Sequence, residues 1–484
     1  MTRPHELADW ELRNALAGRA LLTFDRFTSA GRSCVQGPLP VPAAQPRIAV
    51  GCYRSWPAVG QTRVLAVEDR IARRDGAVKH SWLPALADDV LQIVRAEITE
   101  PPLFAAWFTD PILKRLADSV SAQILTAPAA IRQRLEDKTN LDHLLRSAGV
   151  PARLRIPTVS ASQPPSYQAV ASQLGPRLVV QPAQASGGRG TSFVEDETGY
   201  DSAISGTGPW RISTFVAGYS SNTTVLTVPV PGGCSVYVDL PSHKPVGVDE
   251  LGIAAAKGAG NDWSPEWPQE LVAELVAAIV ALGRYLYAFY HLVGLWGVDT
   301  IWSADRVVIN ENNVRNQGTT ELSGVNQILR GLPPFLVAHL TVMAGGTVSW
   351  LPSPEEFNAE TVRRSASGGP GPFYIKIRNT APHPVTPIPG WAGSGVYRLD
   401  GDRLSWLRAG AHPTDADLDA GEVLLANVPD ADVVSGPGAE LGTAEGITRR
   451  PVFAGPHHLS PLGAQVHQAV RRCFVPHPHE GTPR

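Results

Sequence analysis

The sequence predicts a mixed α/β (α+β) protein with more than one domain, and three observations carry that prediction. The chain has 484 residues, 43% of them hydrophobic, and a formal charge of −3. At roughly 100–200 residues per domain this is material for several cores. Segments with apolar residues at helical spacing alternate with short apolar runs that read as strands. The 45 glycines and 43 prolines fall largely between these segments, as turn signals.

Residues 1–127 read as a small α/β domain. Arg47–Tyr53 is a short apolar strand, Val64–Val67 and Leu91–Val94 are further strand or helix candidates, and Gly37–Pro46 is rich in turn residues. Residues 128–349 carry sharper signals. Ile131, Leu135, Leu141, Leu144 and Leu145 place one helix over Ala129–Ala148, stopped by Gly149 and Pro151. Leu178–Val180 and Phe193–Val194 read as paired strands around a glycine-rich loop. Trp210–Val216 and Thr223–Val230 are strands. Ser264–Val293 is a long helix with Ser264 as its cap, Pro265 in its first turn, and Gly294 or Gly297 closing it. Residues 350–484 form a β-rich region with strands near Phe373–Ile377, Gly395–Leu399 and Glu422–Ala426, ending in a frayed tail from Phe474.

Composition also excludes partners. The near-neutral charge argues against nucleic acid, which calls for a concentrated basic face. The most apolar stretch, Leu271–Val298, is interrupted by Glu274 and Arg284. Its uncharged remainder, Tyr285–Val298, falls short of the ~20 residues that span a bilayer, so no membrane partner is expected. Cys34, Cys52, Cys234 and Cys473 are far apart and form no C-x-x-C pair. Such cysteines suit a reducing compartment, and the polar N-terminus has no signal-peptide core, so a cytoplasmic location is expected.

The most informative segment is GVDTIWSADRVVINENNVR, Gly297–Arg315. Two alternating runs flank Ala304–Asp305–Arg306, which reads as a three-residue hairpin turn. Cross-strand partners then place Asp299 opposite Glu311, with Asn313 on the same face. Two carboxylates and an amide oxygen suit Mg²⁺, which takes one or two carboxylates plus substrate phosphates. Arg315, two residues further on, is a permanent cation fit to grip a carboxylate or phosphate. A solvated hairpin end explains a lone Asp–Glu pair, but not this full set. A second element is SGGRG, Ser186–Gly190, whose backbone amides could form an anion-binding concavity. It matches neither a Walker A loop nor a dinucleotide fingerprint. The third is Lys138, one of only six lysines in the chain.

Taken in order, these elements over about Leu135–Gly324 resemble the ATP-grasp superfamily of carboxylate ligases. Lys138 leads a helix ending in Gly149–Val150–Pro151. The strand, glycine loop and strand of Leu178–Val194 follow. Ile212–Gly218 resembles the hinge strand, and Glu311–Arg315 resembles the motif E-[IV]-N-x-R. Thr320–Glu321 is similar to the Thr-Glu that follows in biotin-carboxylase-like members. The resemblance implies an ATP-grasp fold: a Rossmann-like N-terminal domain, a central domain with a lid at about 152–210, and a β-rich C-terminal region. It implies ATP and Mg²⁺ as cofactors. Lys138, Gln181, Ser186, Gly187, Gly188 and Gly190 would contact phosphates, Phe215 and Val216 would face adenine, and Asp299, Glu311 and Asn313 would hold metal. Arg315 would be catalytic.

The implied reaction activates a carboxylate as an acyl phosphate and joins it to an amine. An amino acid or small peptide acid in specialised metabolism is expected, in a possible homo-oligomer. The sequence departs from the family at three points. Gln181 stands where a second phosphate-binding lysine is usual, with Lys244, Lys257 or Arg189 as candidate compensations. Thr214 replaces the hinge acid. Asn316–Gln317–Gly318 replaces the Glu-His pair of carboxylating members, which disfavours bicarbonate chemistry. His457–His458, His477 and His479 lack accompanying ligands and read as loop histidines. Asp415, Asp417 and Asp419 read as a solvated acidic turn, and Tyr285, Tyr287, Phe289 and Tyr290 as core packing of the long helix.

Overall fold

The computed structural model describes residues 3–26, 28, 32–54, 62–71, 73–74 and 82–478; His479 and Lys79 lie outside them. Residues before 128 build a parallel sheet of five strands. These are β1 (Leu21–Phe24), β2 (Ile48–Gly51), β3 (Arg63–Ala66), β4 (Leu103–Ala106) and β5 (Gln123–Ile124), in the order β3-β2-β1-β4-β5. The continuous burial of the three central strands, β1, β2 and β4, reflects helices on the faces of a parallel sheet. Leu91–Val94 belongs to one of these, helix α1 (Trp82–Glu97).

The helix expected over 129–148 is broken. It forms α2 (Ala129–Leu135), a single 3₁₀ turn over Lys138–Asn140, and α3 (Leu141–Ser147). Asp137 accepts from the Thr139 amide and starts the turn. Gly149 ends the segment with φ +75°, as expected.

A small four-stranded antiparallel sheet follows. Its strands are β6 (Thr158–Ala161), β7 (Leu178–Pro182), β8 (Ser192–Val194) and β9 (Trp210–Thr214), in the order β6-β9-β7-β8. Leu178, Val180, Val194, Trp210 and Ile212 pack with Val170, Leu174 and Tyr200 on one face. Period-two alternation sends Gln181 and Arg211 to the other face. Phe215 and Val216 lie just beyond the end of β9 rather than within it.

The largest sheet has eleven strands and runs unbroken across residue 350. Its first half contains β10 (Tyr219–Val230), β11 (Gly233–Val238), β12 (Ser242–His243) and β13 (Gly260–Asp262), then β14 (Gly294–Trp302) and β15 (Val307–Asn313). Its second half contains β16 (Gly371–Arg378), β17 (Gly395–Asp400), β18 (Arg403–Arg408), β19 (Glu422–Ala426) and β20 (Glu440–Thr448). The two halves join where β13 pairs with β16. The tail is not wholly frayed: Phe474–Pro476 pairs with Val385–Pro387.

The long helix α4 spans Gln269–Tyr290. Ser264 does not cap it; its amide is taken by Asp262, and Pro268 precedes the first turn. His291, at φ +51°, closes it rather than Gly294 or Gly297. By length and hydropathy α4 could cross a membrane. In this fold its stripe of Val272, Leu275, Ile279, Leu282 and Leu286 packs on Val236, Trp296 and Val298, in the core beneath the β14–β15 hairpin. Gly283 lets the helix approach, since a Cβ there would sit 2.9 Å from Val236 and 3.1 Å from Trp296.

His339 ties this sheet to the N-terminal domain. Its Nδ1 accepts from the Leu295 amide at 3.0 Å, so Nε2 carries the proton and donates to the Leu125 carbonyl at 3.0 Å. Burial pushes its pKa down to about 4.

Candidate active site

The hairpin is built differently from its expected form. Trp302 pairs with Val307, Ile301 with Val308 and Thr300 with Ile309. This register closes on Ala304–Asp305, a two-residue turn, with the Ser303 amide donating to the Arg306 carbonyl at 2.9 Å. Carried onward unchanged, it would put Asn310 beside Asp299 and turn Glu311 into the apolar core with Val307 and Ile309. A β-bulge intervenes: Asn310 is the extra residue, and Asp299 pairs with Glu311 after all. Val298 and Asn313's neighbour Asn312 then face the core side, while Asp299, Glu311 and Asn313 share the opposite face.

Each acid there has a cation. Lys138 Nζ makes a short hydrogen bond to Glu311 Oε1, and a second to the Ala185 carbonyl at 3.1 Å. The 3₁₀ turn that carries Lys138 is tied to the strand leading into the glycine loop, its amide donating to the Ala183 carbonyl at 3.0 Å. Lys244 Nζ lies 2.7 Å from Asp299 Oδ2. Asn222, on β10 directly opposite Asp299, donates to Asp299 Oδ1 and to Gln317 Oε1, each at 2.5 Å. Burial would raise the Asp299 pKa, but the Lys244 charge and the hydrogen bonds from Lys244 and Asn222 outweigh it. The carboxyl is held below its ordinary range. Arg315 spans Asn313 Oδ1, at 2.7 Å from Nη2, and Glu136 Oε1, at 3.1 Å from Nε.

The glycine loop forms the opposite rim. Gly187, Gly188 and Gly190 all hold positive φ, between +64° and +75°. A Cβ on Gly188 would come within 2.2 Å of the Ala256 carbonyl oxygen. No side chain is tolerated at that approach. Ser186 is held inside the loop, its carbonyl accepting from Arg189 Nε at 3.3 Å. Beyond the loop, Val216 packs with Ile156 and Val308, and Phe215 stacks edge-on to Phe193 with Arg177 over its ring. Thr214, at the expected acid position, gives its hydroxyl to the Leu174 carbonyl at 2.9 Å.

Sequence reasoning missed Arg211. It lies directly across from Gln181, and its Nη1 donates to Gln181 Oε1 at 3.1 Å and to the Asn310 carbonyl, the bulge residue, at 2.9 Å. The available signal was a lone arginine inside the apolar strand WRIST. Of the expected compensations for Gln181, Lys244 is committed to Asp299, Arg189 bonds within its own loop, and Lys257 is exposed. Asn222 and Glu136 were also missed, and Gln317 was read only as a departure from the Glu-His pair, not as a partner of Asn222. They lie outside the motifs, and only the folded register brings them in. Among the loop histidines, His457 and His458 are exposed, with His457 Nδ1 against the Val246 carbonyl and His458 beside Glu250, and His477 is half-buried.

Comparison with known proteins bears on the fold. No protein-family model and no curated protein matches the sequence. Solved structures do match. Biotin carboxylase from Campylobacter jejuni, a complex with β,γ-ATP, has a TM-score of 0.51 at 12% identity, covering 92% of this chain and 86% of that one. The biotin carboxylase domain of Hydrogenobacter thermophilus 2-oxoglutarate carboxylase, with MgADP and bicarbonate, has a TM-score of 0.50 at 11% identity, over 92% and 84%. Rhizobium etli pyruvate carboxylase has a TM-score of 0.50 at 15% identity, over 98% of this chain and 37% of that one. The chain has the ATP-grasp fold.

Proposed function

We propose that the protein is an ATP- and Mg²⁺-dependent ligase that activates a carboxylate as an acyl phosphate and joins it to an amine. One observation carries the reading: Asp299 and Glu311 are paired across a bulged hairpin, with Asn313 and Arg315 beside them and Lys138 reaching in from the glycine-loop side. A hairpin gains no stability from two carboxylates set directly opposite each other. The nucleotide would lie between the small sheet and the hairpin. Lys138, Gln181, Ser186 and the loop glycines would meet its phosphates, and Phe215 and Val216 its base.

The residues fit magnesium. Among the described residues no three His, Cys, Asp or Glu side chains converge. The protein's share is therefore two carboxylates and the Asn313 amide oxygen, and Mg²⁺ commonly takes one or two carboxylates with substrate phosphates. Bound there, it would supply charge neutralisation for phosphoryl transfer. Lys138 and Lys244 now balance the carboxylates and would turn towards the phosphates. A substrate carboxylate oxygen attacks the γ-phosphorus in line, and ADP leaves. The amine nitrogen then attacks the acyl carbon, and inorganic phosphate leaves with formation of the amide. Positioning and charge neutralisation supply most of such catalysis. Arg315 steadies charge on the acyl phosphate and the tetrahedral intermediate. Asn316 and Gln317, after Arg315, are spent on the Ala106 carbonyl and on Asn222, which leaves no acid–base pair for bicarbonate. An amino acid or small peptide acid remains our preferred substrate.

Hydroxylamine trapping tests the reading. With ATP, Mg²⁺ and the right acid it yields a hydroxamate and ADP; phosphotransfer without an acyl phosphate yields ADP alone. One observation favours a second reading, a nucleotide-binding scaffold: lysines already satisfy both carboxylates. ATP binding with no ADP release across a panel of acids, amines and carrier thiols would select it.

A further inference from the structure

The small sheet's inner face holds a cation of a different kind from those on the hairpin. Lys138, Lys244 and Arg315 each have a carboxylate partner. Arg211 is 2% exposed, and among the described residues no Asp or Glu forms an ion pair with it. Burial pulls its pKa down to about 10, with Glu311 and Asp142 opposing from a distance. Leaving a charge buried without a partner is costly, and proteins rarely keep one without a use. Its surroundings are specific. Arg211 Nη1 donates to Gln181 Oε1 at 3.1 Å, and Gln181 Nε2 points on to Thr191 Oγ1 at 3.3 Å, at the exit of the glycine loop. A second hydrogen bond anchors the guanidinium on the bulge carbonyl of Asn310 at 2.9 Å. The amide of Gln181 is therefore held one way round: its oxygen faces the cation and its N–H faces the loop. A donor polarised by a neighbouring charge is stronger than a neutral one.

We propose that Arg211 and Gln181 work as a relay that replaces a single phosphate-binding lysine. Arg211 supplies the charge and fixes the amide, and Gln181 Nε2 donates to the nucleotide's polyphosphate beneath the glycine loop. Arg211 is thus a positioning residue and Gln181 the contacting one. The inference rests on the nucleotide reading above. It adds that the cation comes from β9, thirty residues after the position where the family resemblance leads one to expect it.

Isothermal titration of the full chain with MgATP and with adenosine tests the relay. Arg211→Met should weaken MgATP binding at least tenfold and leave adenosine binding unchanged, because only the polyphosphate contact is lost. Adding Gln181→Lys to Arg211→Met should restore most of the MgATP affinity, with a lysine in place of the relay. Unchanged MgATP affinity in Arg211→Met overturns the proposal. So does an equal loss of ATP and adenosine, or a double variant that fails to recover or to fold, since each makes Arg211 structural. Wild-type protein that binds neither ligand overturns the nucleotide reading itself, a distinct result.

Discussion

The hairpin and the small sheet, the two walls between which the nucleotide is proposed to lie, solve the same electrostatic problem in opposite ways. The hairpin wall carries acids, and each is balanced: Asp299 by Lys244 and Glu311 by Lys138. The small-sheet wall carries Arg211 with only neutral partners, Gln181 and Asn310. A balanced wall is stable alone and must rearrange for a ligand, whereas an unbalanced wall bears a standing cost that an anion relieves. Removing charge should therefore act differently on the two sides.

The largest effect is expected at Arg315. Arg315→Ala should lower turnover, read as ADP release with the active acid, on the order of 10²–10³-fold; unchanged turnover would break the assignment of the hairpin wall to chemistry. Next is the anchor of that wall. His339 is neutral in the fold, with its pKa depressed to about 4 from an ordinary 6.5. Its stabilisation is full above pH 6.5 and fades as pH falls towards 4, by about 3 kcal/mol in all. His339→Gln should therefore be most destabilising above pH 6.5, and the gap to wild type should close on acidification. Denaturant midpoints across pH would read this, and a gap that widens towards pH 4 would contradict it.

The sharpest contrast compares two cations. Lys138→Met leaves Glu311 without its partner. Partial exposure of Glu311 keeps the loss below that of a fully buried pair, at about 1–3 kcal/mol. Arg211→Met orphans no acid, and relief of the buried charge offsets its lost hydrogen bonds, so stability should move by less than about 1 kcal/mol. Equal losses in urea unfolding would erase the distinction between the walls. A comparably small effect lies behind the hairpin. Gly283→Ala pushes a methyl into Val236 and Trp296 and should cost about 1 kcal/mol by overpacking, seen as a lower melting temperature with ATP affinity retained.

The hairpin wall was legible in the sequence because its information is local. Asp299, Glu311, Asn313 and Arg315 lie within seventeen residues, and period-two alternation nearly suffices to group them. Even there the turn was misjudged, and the correct pairing followed only because a two-residue turn and a bulge together give the same sum as a three-residue turn. The small-sheet wall was illegible because its information is non-local. The register that sets Arg211 against Gln181 joins strands thirty residues apart, and no spacing rule fixes it. The α4 boundaries were misplaced for a related reason. Ser264 has good cap chemistry, but Asp262 at the end of β13 claims its amide. The ATP-grasp fold was recognisable from ordered motifs, while the joining of both halves into one sheet through β13 and β16 was not.

The single surplus residue at Asn310 lets a two-residue turn carry a hairpin whose acids share one face, and it also lends its carbonyl to the neighbouring sheet. Deleting Asn310 would close the bulge and keep Glu311 opposite Asp299, but it would take away the carbonyl on which Arg211 is anchored. A one-codon loss would thus spare the acids of one wall and unmoor the cation of the other.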